Sequence, residues 1–322
     1  MSADTRWEWN YANSYSFMER IRQGMPPLII CCACNGGVQG KESNENIPES
    51  PSEIAESARE AYQAGAAMVH VHARDPQNLG APARTTETWS DVNSQIRDKC
   101  PDIIINNTTG GGPNITMEER LSCLNARPEV ASLNLAPDMS RFKIKARTAP
   151  LSHPRPEQEV DECLPFTYGQ ITSWAREMKK RGIKPELEVY HPGCMWVVND
   201  LVRQGIVNAP YWIQTVMGYQ TSSYPTVKNT LDLLSEMPEG SSWLCSAIGP
   251  FQLPLTTLAT LMGGHVRVGL EDNIHYRRGE KAGSNAQLVE RAVRIAHELN
   301  REIATPTQAR KMLGLSPVPS KY

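Results

Sequence analysis

Two histidines separated by one residue form the pattern with the clearest chemical meaning in this sequence. His70 and His72 end a short apolar run, in the segment VHVHARDP. Because side chains alternate between the two faces of a strand, both imidazoles point to the same side. A lone buried histidine is more often a hydrogen-bonded core residue, but two neutral imidazoles on one face can hold one metal ion. The spacing therefore makes this strand end a candidate metal site.

A second group of charged residues closes the segment GGHVRVGLEDN, which covers residues 263–273. If eight parallel strands close into a barrel, this last strand neighbours the first, and the first neighbours the strand with the histidines. Glu271 can then complete a His₂Glu set with His70 and His72, leaving open the fourth position that catalytic zinc requires. Iron(II) held by two histidines and one carboxylate is the alternative metal. The plainer interpretation is that Glu271 and Asp272 cap the following segment.

Amides, hydroxyls and glycines follow a third apolar run, in the segment IINNTTGGG at residues 104–112. Asn106, Thr108 and Thr109 offer polar groups, and Gly110 lets the backbone approach a ligand closely. Such groups suit an oxyanion or a carboxylate. By itself the run is typical of a polar turn after a strand. Its position beside the histidine strand makes it a candidate substrate site.

The elements that must position these residues follow from hydrophobic periodicity. Short β-branched apolar runs alternate with amphipathic stretches, which predicts eight strand and helix pairs. The predicted strands are 28–33, 68–72, 103–108, 130–135, 186–190, 211–217, 243–248 and 266–270. The predicted helices are 51–64, 86–99, 116–125, 168–181, 195–204, 226–237, 253–262 and 285–299.

Eight alternating units favour an α/β fold, a single-domain (β/α)₈ TIM barrel over residues 25–322 with an N-terminal extension at 1–24. An open doubly wound sheet is the rival, but no GxGxxG follows the first strand. Two segments lie outside the alternation. Residues 15–23 form an amphipathic stretch that could plug the barrel bottom or contact a neighbouring subunit. Residues 140–166 are predicted to be a long loop, which is usually functional or disordered.

Composition excludes several classes of protein. The 322 residues contain 33 Lys and Arg against 35 Asp and Glu, a formal net charge of −2 that gives no electrostatic signature of nucleic-acid binding. No apolar run approaches the roughly 18 residues of a membrane span. The eight cysteines form no CxxC pair and most lie in apolar stretches, which indicates reduced thiols. Because the first ten residues do not form a secretory signal, we expect a cytoplasmic protein.

Six segments, in order along nearly the whole chain, together resemble one family. They are residues 27–37, HxHxRDP at 70–76, NxTTGG at 106–111, ASLNL at 131–135, KPELEVY at 184–190 and RVGLEDN at 267–273. The family is the β-keto acid cleavage enzymes. The combination of HxHxRDP with RVGLEDN is highly specific.

The resemblance implies a zinc-dependent acyltransferase that converts a β-keto acid and acetyl-CoA into acetoacetate and the CoA ester of the shortened acid. It implies that His70, His72 and Glu271 hold the metal. Asp272 matches the family's catalytic carboxylate, with Arg267 orienting it, and Thr108 matches a hydroxyl that supports oxyanions. A homotetramer is also implied. The alternatives are a metal-dependent aldolase or hydrolase acting without CoA, and a non-catalytic barrel that binds a keto acid.

The chain departs from the family pattern at two places, and its CoA contacts are weakly encoded. Ala136 to Asp138 replace the family's Gly followed by Ser or Thr, and Val38 and Gln39 stand where some members carry a glutamate that supports a metal-binding histidine. These changes bear on the substrate more than on the reaction. Arg277 and Arg278 follow the last strand and are the candidate contacts for the CoA phosphates, although a solvated basic turn explains them equally well.

Overall fold

The computed structural model describes residues 13–111 and 115–322. Residues 1–12 of the predicted extension and Gly112 of the glycine run lie outside this part. The strands are β1 (Ile30–Ala33), β2 (Met68–Val71), β3 (Arg74–Asp75), β4 (Asn78–Pro82), β5 (Ile104–Asn107), β6 (Val130–Asn134), β7 (Asp138–Ile144), β8 (Gln158–Leu164), β9 (Lys184–Val189), β10 (Tyr211–Met217), β11 (Ser241–Ala247), β12 (His265–Val268), β13 (His275–Arg277) and β14 (Glu280–Lys281). The helices are α1 (Ser14–Gln23), α2 (Pro51–Gln63), α3 (Thr86–Lys99), α4 (Met117–Arg120), α5 (Ser122–Asn125), α6 (Tyr168–Lys180), α7 (Cys194–Arg203), α8 (Val227–Ser235), α9 (Gln252–Met262), α10 (Asn285–Glu298) and α11 (Pro306–Leu313).

Eight parallel strands close into a barrel in the order β1, β2, β5, β6, β9, β10, β11 and β12. Helices lie between the strands along the chain, so the predicted (β/α)₈ architecture and single domain are confirmed. The eight strands are those expected from the sequence, with ends that differ by at most two residues. Strand β12 pairs with β1 at Ile30 and Val266, and β1 pairs with β2 at Ala33 and His70. This closure brings the last predicted strand within one strand of the histidines.

Local sequence explains where the outer helices begin. At the start of α2 the Ser50 hydroxyl accepts a hydrogen bond from the Glu53 backbone, and the Glu53 carboxylate accepts one from the Ser50 backbone. Pro51 occupies the first turn, where its missing N–H costs nothing. One predicted helix is divided instead, because residues 116–125 form the two short helices α4 and α5.

The N-terminal end of the barrel is closed by α11, a helix that was not among those predicted from the sequence. Met312 and Leu313 pack in one buried cluster with the inward side chains Met68, Trp212 and Leu244. The stretch 15–23, which was expected to plug this end or to contact a neighbour, is helical as part of α1 but has no buried residue. Burial of large apolar side chains at one end of the barrel leaves its other end for polar groups.

Three antiparallel ribbons extend the C-terminal ends of the barrel strands. They are β3–β4 after β2, β7–β8 after β6, and β13–β14 after β12. The β7–β8 ribbon pairs from Asp138 with Leu164 to Ile144 with Gln158. It occupies most of the segment that the sequence predicted to be a long loop. The sequence pattern does not predict this ribbon, because its strands carry many charged residues and too few apolar ones to show a clear period of two.

Between β7 and β8, a buried charge cluster ties the chain to the loop that follows β1. Arg147 donates to both carboxylate oxygens of Glu49 at 2.7 Å and to Glu42 at 2.9 Å. The hydrogen bonds and charge of Arg147 outweigh the effect of burial and lower the pKa of Glu49.

None of the helices in the described residues combines the length and the hydropathy of a membrane span.

Candidate metal and active site

Three potential metal ligands converge at the C-terminal end of the barrel. His70 is in β2, His72 follows that strand, and Glu271 follows β12. The His72 Nε2 atom lies 3.2 Å from Glu271 Oε1, and the His70 Nε2 atom lies 3.7 Å from Glu271 Oε2. One ligand atom from each residue lies within 4.8 Å of the others. The two imidazoles and the carboxylate, distant in sequence, therefore meet as the motif spacing predicted.

Hydrogen bonding and burial position the two imidazoles. The Nδ1 atom of His72 lies 2.9 Å from the carbonyl oxygen of Gly111, so its N–H donates there and Nε2 faces Glu271. This backbone carbonyl orients a histidine where relatives were expected to use a glutamate. Burial and the nearby Arg267 charge hold the pKa of His70 well below its usual value. His70 is therefore neutral at physiological pH, as a ligand must be.

Close backbone approach is needed around this cluster. Gly37 lies against the Gly111 carbonyl and His72, and a Cβ there would overlap the carbonyl oxygen. Gly269 has a φ of +142° and lies against the backbone of Ala33, where a Cβ would also overlap. Glycine is the residue that combines this conformation with the absence of a side chain. The two glycines bring the β1 and β12 ends within reach of the histidines.

An arginine and an aspartate form a buried pair beside the ligands. Arg267 donates through Nε and Nη2 to the two oxygens of Asp272, each at 2.8 Å, and through Nη2 to Glu271 at 2.6 Å. Ser246 Oγ lies 3.3 Å from Asp272 Oδ2. Burial raises the pKa of Asp272, and the neighbouring Glu271 charge adds to the effect. Asp272 is thus a carboxylate in contact with a fixed cation and more basic than an ordinary aspartate.

Glu271 responds differently to the same surroundings. Burial tends to raise its pKa, but the charge of the Arg267 guanidinium outweighs burial and holds the pKa well below the usual range. The pKa values of these two adjacent carboxyl groups are therefore shifted in opposite directions, down for Glu271 and up for Asp272. Such a separation is typical of sites that divide ligand and base roles between two acidic groups.

The cluster lies in a cavity of about 630 Å³ at the barrel mouth. The cavity is lined by His70, His72, Arg267, Glu271 and Asp272, together with Thr108 and Gly110 from the loop after β5. The Thr108 hydroxyl accepts a hydrogen bond from the Gly110 backbone at 2.9 Å. Its own hydrogen can therefore be donated to a molecule in the cavity.

Other residues singled out by the sequence lie outside the cavity lining. The Thr109 hydroxyl donates to the Ser132 carbonyl, and Asn106 is buried beside His70 in the sheet register. Arg277 is an exposed residue of β13 that pairs with Glu280, and Arg278 is also exposed, in the turn after it. The same ribbon begins with His275, which lines the cavity mouth.

The structure adds a row of polar side chains that the sequence motifs do not predict. Asn134, Glu188 and Gln214 face one another in register on β6, β9 and β10, and all three line the cavity. Burial and the nearby Glu186 charge raise the pKa of Glu188 to about 8. The signal was the segment PELEVY, in which Glu186 and Glu188 alternate like the two histidines and so point to one face.

The chain matches a known protein family along most of its length. The beta-keto acid cleavage enzyme family matches residues 27–315. The chain belongs to this family. It is 37% identical over 291 residues to the 3-keto-5-aminohexanoate cleavage enzyme of Fusobacterium nucleatum, covering 90% of this chain and 99% of the relative. It is 30% identical over 300 residues to the 3-dehydrocarnitine:acetyl-CoA trimethylamine transferase of Rhizobium meliloti, covering 90% of this chain and 97% of that enzyme.

Solved structures support the fold of this family member. The apo structure of ObcA superimposes with a TM-score of 0.64 at 18% sequence identity, covering 84% of this chain and 66% of that one. At this identity the likeness concerns the barrel alone. The assignment of an enzyme of the β-keto acid cleavage family therefore rests on the sequence relatives.

The ligand cluster fits a divalent metal on two observations. His70 Nδ1 and Glu271 Oε2 are buried and have no hydrogen-bond partner in the described part of the chain. A buried polar atom without a partner is costly, and a bound cation would satisfy the carboxylate oxygen. Two imidazoles and a carboxylate are also a donor set that zinc accepts in catalytic sites.

Proposed function

We propose that the chain is a zinc-dependent acyltransferase that condenses a β-keto acid with acetyl-CoA and releases acetoacetate and an acyl-CoA. The observation that supports this proposal is the placement of the Arg267–Asp272 pair beside the His70, His72 and Glu271 cluster in one open cavity. Family membership and the acetyl-CoA transferases among the relatives support the acyl acceptor and donor. We also propose that the enzyme is a homotetramer, which light scattering after gel filtration tests.

His70, His72 and Glu271 would hold the metal, which when bound supplies Lewis-acid stabilisation for negative charge on the keto acid. Asp272 accepts a proton from the carbon between the keto and carboxylate groups. Arg267 fixes the orientation of the Asp272 carboxylate through two hydrogen bonds. Proton transfer therefore carries little further cost in side-chain entropy.

The carbanion that remains attacks the acetyl carbonyl of acetyl-CoA, and the CoA thiolate leaves. The thiolate then attacks the original keto carbon, the bond between that carbon and the former carbanion centre breaks, and the acyl-CoA is released. Asp272 returns its proton to the acetoacetate carbanion, so atoms, charge and protons balance over the cycle. The Thr108 hydroxyl donates a hydrogen bond to the tetrahedral oxyanions, and Thr109 and Gly110 shape the loop that presents it. Asn106 supports this loop from β5, where it lies beside His70.

A reaction screen tests this function directly. The purified protein, loaded with Zn²⁺, is incubated with a panel of β-keto acids with and without acetyl-CoA, and acetoacetate and new acyl-CoA are measured together. The proposal requires both products in equal amounts and only when acetyl-CoA is present. Cleavage of a keto acid without acetyl-CoA would indicate an aldolase or hydrolase, and binding without turnover of any acid would indicate a keto-acid-binding protein.

We further propose that Arg277 and Arg278 contact the CoA phosphates. They belong to the ribbon whose first residue, His275, lines the cavity mouth, so the ribbon borders the path of a long CoA molecule. Charge reversal at both positions is expected to raise the KM for acetyl-CoA with little change in the KM for the keto acid. An unchanged KM for acetyl-CoA would remove these residues from the CoA site.

A further inference from the structure

Three buried polar side chains meet inside the barrel, next to the metal ligands. His70 on β2 pairs in register with Asn106 on β5, and Glu186 lies on β9, two strands further around the barrel. Inward side chains of alternate strands share a layer in such barrels, which places Asn106 and Glu186 in one layer. Both are 0% exposed and lie outside the cavity lining, so a substrate does not account for them.

Each of these three side chains has a buried polar atom without a hydrogen-bond partner in the described chain. The atoms are His70 Nδ1, Asn106 Oδ1 and Glu186 Oε1. The second Glu186 oxygen accepts a hydrogen bond from Trp212 Nε1 at 3.0 Å, and the Asn106 amide nitrogen faces only the weak acceptor Met68 Sδ, at 3.9 Å. Buried polar atoms without partners are costly, so three of them in one cluster require an explanation.

The three unpaired atoms are complementary in kind. A neutral imidazole offers one N–H, an amide offers an oxygen and an NH₂ group, and a carboxylate only accepts. Asn106 contacts both His70 and Glu186, although among the described residues no well-aligned hydrogen bond joins them. With its oxygen toward His70 and its nitrogen toward Glu186, this one amide supplies a partner to both neighbours and satisfies itself.

The His70 ring has a competing arrangement. His70 Nε2 lies 3.7 Å from Glu271 Oε2, an oxygen that is also unpaired in the described chain. In the metal-free protein this carboxylate attracts a proton to Nε2, and a protonated Nε2 has no lone pair for a metal. Arg267 donates to the other Glu271 oxygen at 2.6 Å, which weakens the attraction. An acceptor on the Nδ1 side therefore decides which nitrogen of His70 carries the proton.

Resting on the function proposed above, we propose that Asn106 and Glu186 are positioning residues for the metal ligand His70. The His70 Nδ1–H group donates to the Asn106 oxygen, and the Asn106 amide nitrogen donates to the Glu186 carboxylate. This chain of hydrogen bonds keeps the proton off Nε2 and fixes the ring, as partners of metal-binding histidines commonly do. It serves His70 as the Gly111 carbonyl serves His72.

Nitrogen-15 NMR of the full-length, histidine-labelled protein, freed of zinc by a chelator, reads the tautomer of each ring. His70 is assigned by the signal that is lost in His70→Gln, and its proton is expected on Nδ1. His265 is an internal reference of the opposite tautomer, because its Nδ1 accepts a hydrogen bond from the Ile29 backbone at 3.0 Å. Asn106→Leu is expected to move the His70 proton to Nε2. Asn106→Asp keeps an acceptor and is expected to retain a proton on Nδ1.

Zinc affinity, measured by competition with a chromogenic chelator, gives a second readout. Asn106→Leu is expected to weaken zinc binding about 10- to 100-fold, the usual loss when such a partner is removed. Glu186→Gln is also expected to weaken it, because a glutamine that accepts from Trp212 presents its NH₂ group to Asn106 and reverses that amide. Asn107→Leu is the matched control, since the Asn107 amide donates outward from the same strand to a carbonyl of α5. Its zinc affinity and His70 tautomer are expected to equal those of the wild type.

The tautomer of the wild-type protein tests the proposal even if a variant fails to fold. A His70 proton on Nε2 in the zinc-free wild type would overturn it. Wild-type tautomer and zinc affinity in Asn106→Leu would exclude the amide, and equal losses in Asn107→Leu would show an effect of strand packing instead. Neither readout involves acetyl-CoA. A failed reaction screen with the expected tautomer and zinc results would therefore refute the acyltransferase function alone.

Discussion

Asp272→Asn is the substitution that tests the proposed chemistry most directly. The side chain is 4% exposed and accepts two hydrogen bonds from Arg267 and one from Ser246. Asparagine keeps the shape but removes the base and turns one acceptor into a donor that faces a guanidinium. Loss of a positioned general base is expected to lower kcat by about 10²- to 10⁴-fold. That is about 2.7–5.4 kcal/mol at 1.36 kcal/mol for each factor of ten.

The assay separates the base from the metal ligands. Zinc content by elemental analysis is expected to stay near that of the wild type, because Asp272 is not one of the three converging ligands. Exchange of the protons between the keto and carboxylate groups in deuterated water, followed by NMR without acetyl-CoA, is expected to fall to the uncatalysed rate.

Ser246→Ala provides the control, because it removes only the 3.3 Å contact to the same carboxylate. Its kcat is expected to fall by less than about tenfold, as for one weak hydrogen bond. Turnover of Asp272→Asn within a few-fold of the wild type would refute the assignment of the base. Loss of zinc together with activity would show that Asp272 supports the metal site instead.

Three further predictions concern His70 as a metal ligand, Thr108 as an oxyanion donor and the buried ion pair between Glu49 and Arg147. His70→Ala is expected to lose bound zinc and activity together, and an active, zinc-free variant would exclude the metal assignment. Thr108→Val, which keeps the side-chain shape, is expected to lower kcat by about 10²- to 10³-fold with zinc retained, since an oxyanion donor is removed; an unchanged kcat would contradict this role. Glu49→Gln removes the bidentate partner of Arg147 while Glu42 remains, and it is expected to cost about 1.5–3 kcal/mol of unfolding free energy at pH 7. Because the folded-state pKa of Glu49 is lowered, this stabilisation is present above the unfolded pKa of about 4.3 and is lost as pH falls through the lower folded value. Urea unfolding of both proteins from pH 7 to pH 3 checks this, and a stability difference that stayed constant across the range would contradict it.

Much of the barrel could be predicted because its signals are local. Each strand is a short apolar run, and each helix has its own caps and period, as the capping box of Ser50 and Glu53 shows. The ribbons β7–β8 and β13–β14 carry no such signal, since mostly exposed strands of charged residues do not show a buried face. The β7–β8 ribbon is tied instead to the loop after β1, by the buried bonds of Arg147 to Glu42 and Glu49.

The motif His70-x-His72 was informative by itself because the alternation of a strand fixes the relative direction of the two side chains. Glu271 could be joined to them only through the assumption of barrel closure, which the pairing of β12 with β1 and of β1 with β2 bears out. Sequence spacing could not indicate that the Gly111 carbonyl orients His72. That contact depends on where the loop after β5 crosses the barrel mouth.

The amino-acid sequence alone determined the family, the eight-stranded barrel and the residues that converge on the candidate metal site, since periodicity and motif spacing act over a few neighbouring positions. Only the tertiary structure decided which groups line the cavity at the barrel mouth. Asp138, Glu162, Asn134 and Gln214 come from separate strands, and they line one cavity only after the chain has closed. The physical reason is that electrostatic and hydrogen-bonding environments are set by distances in space, which strand register and barrel closure fix together.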